Sequence, residues 1–442
     1  MWNKQNVVPL VILLLFFLPR ILFAKPQESV TTSTSSGSTF TSLIDESLKT
    51  ASEAKAAEAD SKYHDDLKAS TKLNQLLPNF DLSASMQRHT YDRPYTSNGV
   101  QTSNDGQNPT VGLSVSYDLQ KFFGPDSALA NQGAFYASVQ KKLTKRSIVR
   151  SLKVGIFKIK EIDSEIVALN EQIRLFSKLD EILHKQKKLG VFNDLESRQF
   201  EIQKGLLNSD LQDRIQSQEE IFYALSNLTH LSISNLKDRI SKINSMPTLR
   251  FASLQSTSKD SFKSLEDKTI VENLSQDYNL AKLEFDKHTR LALPTVFIRV
   301  LREWPTMASS DGPQQTAELG LTIPLSGFFT RSTEEHSLQS SLEKQHILLE
   351  KNLYEYKNLV SATLDHLERA QSETKMLSEI KIQSQKLVDK SVLFFSQKRT
   401  DVIGTMDIYQ KHLQSTRLVL MNDLVIRTLD AELEYLIGDA SL

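Results

Sequence analysis

The residue types that perform chemistry are thinly spread along this chain of 442 residues. It contains no Cys, which excludes disulfides, thiolate nucleophiles and zinc-thiolate sites. Its nine His are scattered, and none pairs at i,i+4 on a helix with a third ligand in view, so no metal site is expected. His184, His336, His346 and His412 read as solvated helix positions. Glu219-Glu220 and Glu334-Glu335 read as solvated rod charges, not acid–base pairs. No phosphate-binding loop of the GxxxxGKS or GxxxxGKT kind occurs, and no GxGxxG turn, HExxH helix or GxSxG elbow. No enzyme and no cofactor are expected. The acids that stand out do so by position: Asp194 and Asp407 each lie soon after a break that splits a long helical stretch. Asp194 suits a helix N-cap, where a carboxylate accepts from free backbone amides and meets the helix dipole.

The overall balance agrees. With 53 Lys+Arg against 54 Asp+Glu, the net charge of −1 lacks the basic footprint of a nucleic-acid binder. Aromatic residues are not interleaved with basic clusters, so base stacking has no support either. A hydrophobic content of 39%, with only 14 Gly and 12 Pro, suits long thin helices better than a compact α/β enzyme. Residues 1–24 read as a secretory signal peptide: Lys4, an apolar run Val7–Leu18 broken by Pro9, then Ala24 at a plausible cleavage point. The run is short for a membrane span, and an uncleaved anchor is the alternative. Residues 25–39 form a Ser/Thr-rich leader. No later stretch reaches the ~18 apolar residues of a membrane helix, so a mature chain that enters a membrane does so as strands.

Four segments alternate with period two. In the first, Phe80, Leu82, Ala84 and Met86 oppose Asp81, Ser83, Ser85, Gln87 and His89. In the second, from about Thr110, Val111, Leu113, Val115, Tyr117 and Leu119 oppose Gly112, Ser114, Ser116, Asp118 and Gln120. The third, Thr295–Trp304, puts Val296, Ile298 and Val300 on one face, with Phe297 and Leu301 on the nominally polar one. In the fourth, Ala317, Leu319, Leu321, Ile323 and Leu325 alternate with Glu318, Gly320 and Thr322. Such alternation fits transmembrane β-strands, and a half-buried soluble sheet uses the same pattern. The segments make two hairpins, at about 79–121 and about 294–326, connected by the polar loops Asp92–Asn108 and Pro305–Gln315. Such lengths suit the external side of a membrane barrel better than tight turns.

Long helical patterns follow each hairpin, at about 125–232 and about 328–437. Leu152, Ile156, Ile159, Ile162, Ile166, Leu169, Ile173, Phe176, Leu179 and Leu183 recur at about 3.44 residues per step, near the coiled-coil value. Leu338, Leu342, Leu349, Leu353, Tyr356, Val360, Leu364 and Leu367 continue the pattern in the second half. Lys121-Phe122-Phe123-Gly124 recurs as Gly327-Phe328-Phe329-Thr330, each after a strand and opening a long helix. The chain therefore reads as a duplication: a first repeat at 40–235, a polar joining segment at 236–267 and a second repeat at 268–438. Phe122, Phe123, Phe328, Phe329 and Trp304 suit a membrane-interface girdle, and the four Phe equally suit packing that turns strand into rod. Four strands cannot close a barrel, since about eight are needed. A narrow heptad stripe also demands partner helices, so the chain should oligomerise.

Export signal, two-fold repeat, strand hairpins feeding coiled-coil rods and Gly-containing rod tips together resemble the TolC-like outer-membrane efflux protein family. The resemblance implies a mainly α protomer with a transmembrane β-barrel. It further implies a homotrimer that forms a 12-stranded barrel in outer-membrane lipid and a helical tunnel in the periplasm. Efflux or secretion would proceed with a periplasmic adaptor and an inner-membrane pump. The family's tips carry the closed aperture and the adaptor-docking surface. Here they read Leu189-Gly190-Val191-Phe192-Asn193-Asp194-Leu195 and Lys398-Arg399-Thr400-Asp401-Val402-Ile403-Gly404, with Arg399-Thr400 matching the family's Arg-Thr pair. By resemblance Asp194 and Arg399 tether the aperture, with Asp401 and Asp407 as approximate counterparts of its constricting acids. Gly190, Val191 and Thr400 then fall on the docking tip. A periplasmic coiled-coil adaptor or spacer that never enters lipid is the other reading of the same pattern.

Overall fold

The computed structural model describes residues 39–89, 95–97, 100–102, 106–118, 126–188, 194–243, 267–291, 295–305, 314–322, 326–396 and 401–438. The segment 1–24 read as a signal peptide and nearly all of the segment 25–39 read as a leader lie outside these residues.

The described chain opens with α1 (Thr39–Thr50) and α2 (Ser52–Leu76). The sequence pattern suggests one helix here, but Ala51, fully buried, leaves the helical conformation at ψ 128°. The break is fixed from outside, because Thr50 Oγ1 donates to the distant Thr229 carbonyl at 2.5 Å. Strands β1 (Asn79–His89) and β4 (Gly106–Asp118) then form the first hairpin. A small pair, β2 (Tyr95–Ser97) with β3 (Val100–Thr102), sits in their connection. The main ladder runs past the point where alternation fades: Gln87 pairs with Asn108 and His89 with Gly106, inside the stretch read as loop. Backbone pairing continues there without an apolar face to announce it.

The first rod is α3 (Asp126–Lys188), whose 63 residues extend about 95 Å at 1.5 Å each. It returns as α4 (Asp194–Thr229), followed by α5 (Ile233–Ser241), which Ser232 caps through Asn235 N. The second part runs through α6 (Lys268–Leu274) and α7 (Gln276–Leu291) to β5 (Thr295–Pro305) and β6 (Gln314–Thr322). It continues as α8 (Ser326–Ser396), of 71 residues, and α9 (Val402–Ile437). On the strand side α2 lies along α3 and α7 along α8; farther out α4 accompanies α3 and α9 accompanies α8. Helices α3 and α9 pack together and join the two parts. No helix among the described residues is long and apolar enough to cross a membrane.

Apolar seams hold the rods. Leu152, Ile156, Ile159, Phe222 and Leu225 form an equatorial cluster with α1 and α5. There α3 and α4 approach so closely that a Cβ on Gly155 would lie 2.6 Å from Leu225 Cδ2. A second cluster at the tip end gathers Phe176, Leu179 and Leu183 with Phe200, Phe395, Met406 and Tyr409. Phe176 stacks on Phe200, with ring centroids 5.5 Å apart, and lies 6.0 Å from Tyr409. The repeat read along α3 is buried as expected except at two turns. Glu165 and Gln172, 2% and 4% exposed, hold the buried positions beside Ile166 and Ile173, which are only partly buried.

Candidate functional site

The strands form one four-stranded antiparallel sheet in the order β1-β4-β5-β6. The two hairpins are thus joined through β4 and β5, which the chain separates by α3, α4, α5, α6 and α7. Pairing aligns Phe80 with Val115, Val115 with Val300 and Val300 with Ala317. It also aligns Tyr117 with Ile298 and Ile298 with Leu319. Directly opposed residues share a face, so the apolar positions of all four segments fall on one side of one sheet. That side is open: Phe80, Leu113, Ile298 and Val300 are exposed, and Leu319 is 78% exposed. The other side carries Asp81, Ser116, Arg299, Glu318 and Gly320 by register. Phe297, out of place by pattern, lies over Gly320 directly opposite; a Cβ there would stand 2.1 Å from its ring.

Both sheet edges, β1 and β6, lack a neighbour in the four-stranded order. The outer helices carry exposed apolar residues as well: Ile202, Leu206 and Tyr223 on α4, and Ile347, Tyr354, Ile380 and Leu387 on α8. The steps Ile347 to Tyr354 and Ile380 to Leu387 are one heptad each.

At the tips, Asp194 is the first residue of α4. Asp401 caps α9, its Oδ1 accepting from Gly404 N at 2.7 Å. Asp407 is exposed and paired within its own helix to Lys411 at 2.7 Å. The structure thus gives Asp401 and Asp407 local partners and brings neither to the other. Gly190, Val191, Arg399 and Thr400 lie outside the described residues, as do Phe122 and Phe123. Phe328 and Phe329 fall in the first turn of α8, and Trp304 near the end of β5.

A group of charges that spacing did not reveal sits midway along the rods. Glu165 Oε2 lies 3.0 Å from Arg214 Nε on α4, and its Oε1 lies 3.7 Å from Arg417 Nε on α9. Arg417 also donates to Asp210. Glu161, one turn away, is held above the usual carboxylate range by burial and then by Glu165, against the pull of Arg214 and Arg417. Nearer the tip, Ser384 Oγ is 2.9 Å from His412 Nδ1 and 2.7 Å from Ser415 Oγ. Burial, then Lys381, pushes His412 below the ordinary imidazole value, with Glu171 and Asp389 acting the other way. The heptad stripe gave no signal for this layer, since it ran through Ile166 and Ile173 rather than Glu165 and Gln172. Among the described residues, no group of three His, Cys, Asp or Glu could hold a metal ion.

The site is thus an open sheet with one apolar face, continuous with paired antiparallel rods. No family model matches the sequence, and no curated protein matches it. Solved structures do. The chain is similar to the outer membrane protein VceC of Vibrio cholerae, at 14% identity over 90% of this chain and 96% of that one, with a TM-score of 0.74. It is similar to the CmeC outer membrane channel of Campylobacter jejuni, at 13% identity over 90% and 85%, TM-score 0.73. The MtrE outer membrane channel of Neisseria gonorrhoeae, in an open state, matches at 15% identity over 90% and 89%, TM-score 0.70. At these identities the likeness is one of fold, and at that level it bears out the resemblance to the TolC-like family.

Proposed function

We propose that the chain is the protomer of an outer-membrane channel, an exit duct for efflux or secretion. Three copies close their sheets into a 12-stranded barrel in lipid, and their rods form a tunnel in the periplasm. A periplasmic adaptor recruits the rod tips and couples the duct to an inner-membrane pump. The observation that carries this reading is the sheet, with its exposed apolar face and two open edges. In hydrocarbon an unpaired edge leaves backbone amides unsatisfied at several kcal/mol each. Strand directions alternate across the sheet, so β6 of one copy can meet β1 of the next antiparallel. The exposed apolar residues of α4 and α8 supply the matching contact between rods. In this reading the two repeats each contribute one hairpin and one pair of rods, and no residue performs catalysis.

The gate falls at the tips. Its tether is Asp194 with Arg399, and Asp401 and Asp407 stand as its constricting acids, although here Asp401 caps α9 and Asp407 pairs with Lys411. An exposed pair is worth only ~0–1 kcal/mol, so it holds an aperture only when repeated by symmetry. Residues 25–442, purified in detergent, should give discrete conductance steps in planar bilayers. Asp194→Ala with Arg399→Ala should raise the conductance. Well-folded protein that needs no detergent and stays silent in bilayers would favour the adaptor reading. A conducting pore indifferent to the double substitution would remove the gate assignment alone.

A further inference from the structure

The charged layer midway along the rods separates two apolar clusters. Toward the strands lies the cluster of Ile159, Phe222 and Leu225; toward the tip lies that of Leu169, Leu207 and Leu413. Between them the three-helix junction of α3, α4 and α9 is filled by Glu165, Asp210, Arg214 and Arg417. Charge alone does not explain the arrangement as a fastening. Glu165 Oε2 and the Nε atoms of Arg214 and Arg417 are buried without an aligned hydrogen bond. Desolvation of buried ions is recovered only when geometry and hydrogen bonding are good, and apolar side chains of similar volume hold helices at least as tightly.

What the layer does provide is register. Helices α4 and α9 run parallel, and two polar contacts tie them: Gln410 donates to Gln203 and Arg417 donates to Asp210. The two ties are one heptad apart on both helices, so they select one vertical alignment where interchangeable apolar knobs would tolerate a slip. A cleft of about 440 Å³ borders the layer between α3 and α9, lined by Phe157, Glu161, Val167, Leu420, Leu424 and Arg427 among others.

We propose that the Glu165–Arg214–Arg417–Asp210 layer is a joint in the rods, fixing the register of α4 against α9 and letting the tip-side segment move separately from the equatorial one. The joint is a property of the protomer; its use in opening a tunnel rests on the channel reading above.

The test replaces the layer with apolar residues in the full-length, detergent-purified protein: Glu165→Leu, Asp210→Leu, Arg214→Leu and Arg417→Met together. Amide hydrogen exchange is followed on the tip side (196–208 and 403–413) and the equatorial side (215–228 and 418–430). The variant should unfold no earlier than the wild type, and its tip-side amides should exchange about tenfold more slowly, approaching the equatorial ones. Tip-side exchange that is unchanged or faster overturns the joint. If the quadruple variant fails to fold, Arg417→Met with Asp210→Asn decides. It should speed tip-side exchange by about tenfold and leave the equatorial side unchanged. Acceleration on both sides alike, or on neither, overturns the proposal. Silent bilayers with the expected exchange pattern would sink the channel reading and leave the joint standing. Conducting pores with no exchange difference would do the reverse.

Discussion

The tip-side core and the charged layer occupy the same junction of α3, α4 and α9, about 16 Å apart along α3. At one level three aromatic rings fill the junction, Phe176 against Phe200 and Tyr409. At the other, two arginines and two acids fill it, with Glu165 as deeply buried as Phe176. The backbone geometry is shared and the chemistry is not. The aromatic level supplies cohesion, because burial of large apolar surface is favourable and indifferent to small changes of alignment. The ionic level adds little cohesion and much discrimination, because charges tolerate only the pairing that neutralises them. A rod needs both, and separating them along its length lets one end move without the whole seam coming apart.

Four changes sharpen this comparison. The largest effect belongs to the aromatic level: Phe176→Ala removes a ring from contact with two others and should cost about 3–5 kcal/mol. Denaturant unfolding of the detergent-purified protein would measure it, and a loss below 1 kcal/mol would contradict the division of labour. A smaller effect belongs to a polar group that acts locally. Asp401→Ala removes the cap of α9 and should cost about 1 kcal/mol, seen as faster amide exchange confined to the first turn of α9.

The smallest effect is one of pH, and it has opposite signs at two sites. The Glu161 carboxyl lies above its unfolded value, so its charge opposes folding at neutral pH and the penalty lifts as pH falls through the folded value. Glu161→Gln should therefore stabilise the protein slightly at pH 7.5 and leave it more acid-sensitive than the wild type. His412 lies below its unfolded value, so its contribution is present above pH 6.5 and fades as pH falls through 6.5 toward the folded value. His412→Gln should make unfolding less acid-sensitive. Melting curves between pH 4 and 8 check both, and parallel shifts in the two variants would refute the assignment.

Much of this architecture is written in local periodicity. Alternation from Phe80 and from Val296 marks strands, and the seam from Leu152 to Leu183 marks a rod, because side-chain period is a property of the backbone itself. The start of α4 near Asp194 was legible as well, because a helix that breaks and returns must restart close to an acid-bearing tip. Partner choice was not legible. Nothing local says that Leu113 and Val115 lie beside the strand of Arg302 and Val300, or that Phe297 rests over Gly320. Those follow from long-range pairing. Nor does a heptad count reveal that α3 touches both α4 and α9, which is why Glu165 and Gln172 are buried beside Ile166 and Ile173. A single-partner helix needs one stripe; a helix with two partners needs a wider one, and the added positions can take charge only where residues from distant parts of the chain arrive to neutralise it. The sequence by itself determined which segments are strands and which are rods. The tertiary structure decided which of them meet, and so where the charge of Glu165 could be buried at all, between Arg214 and Arg417.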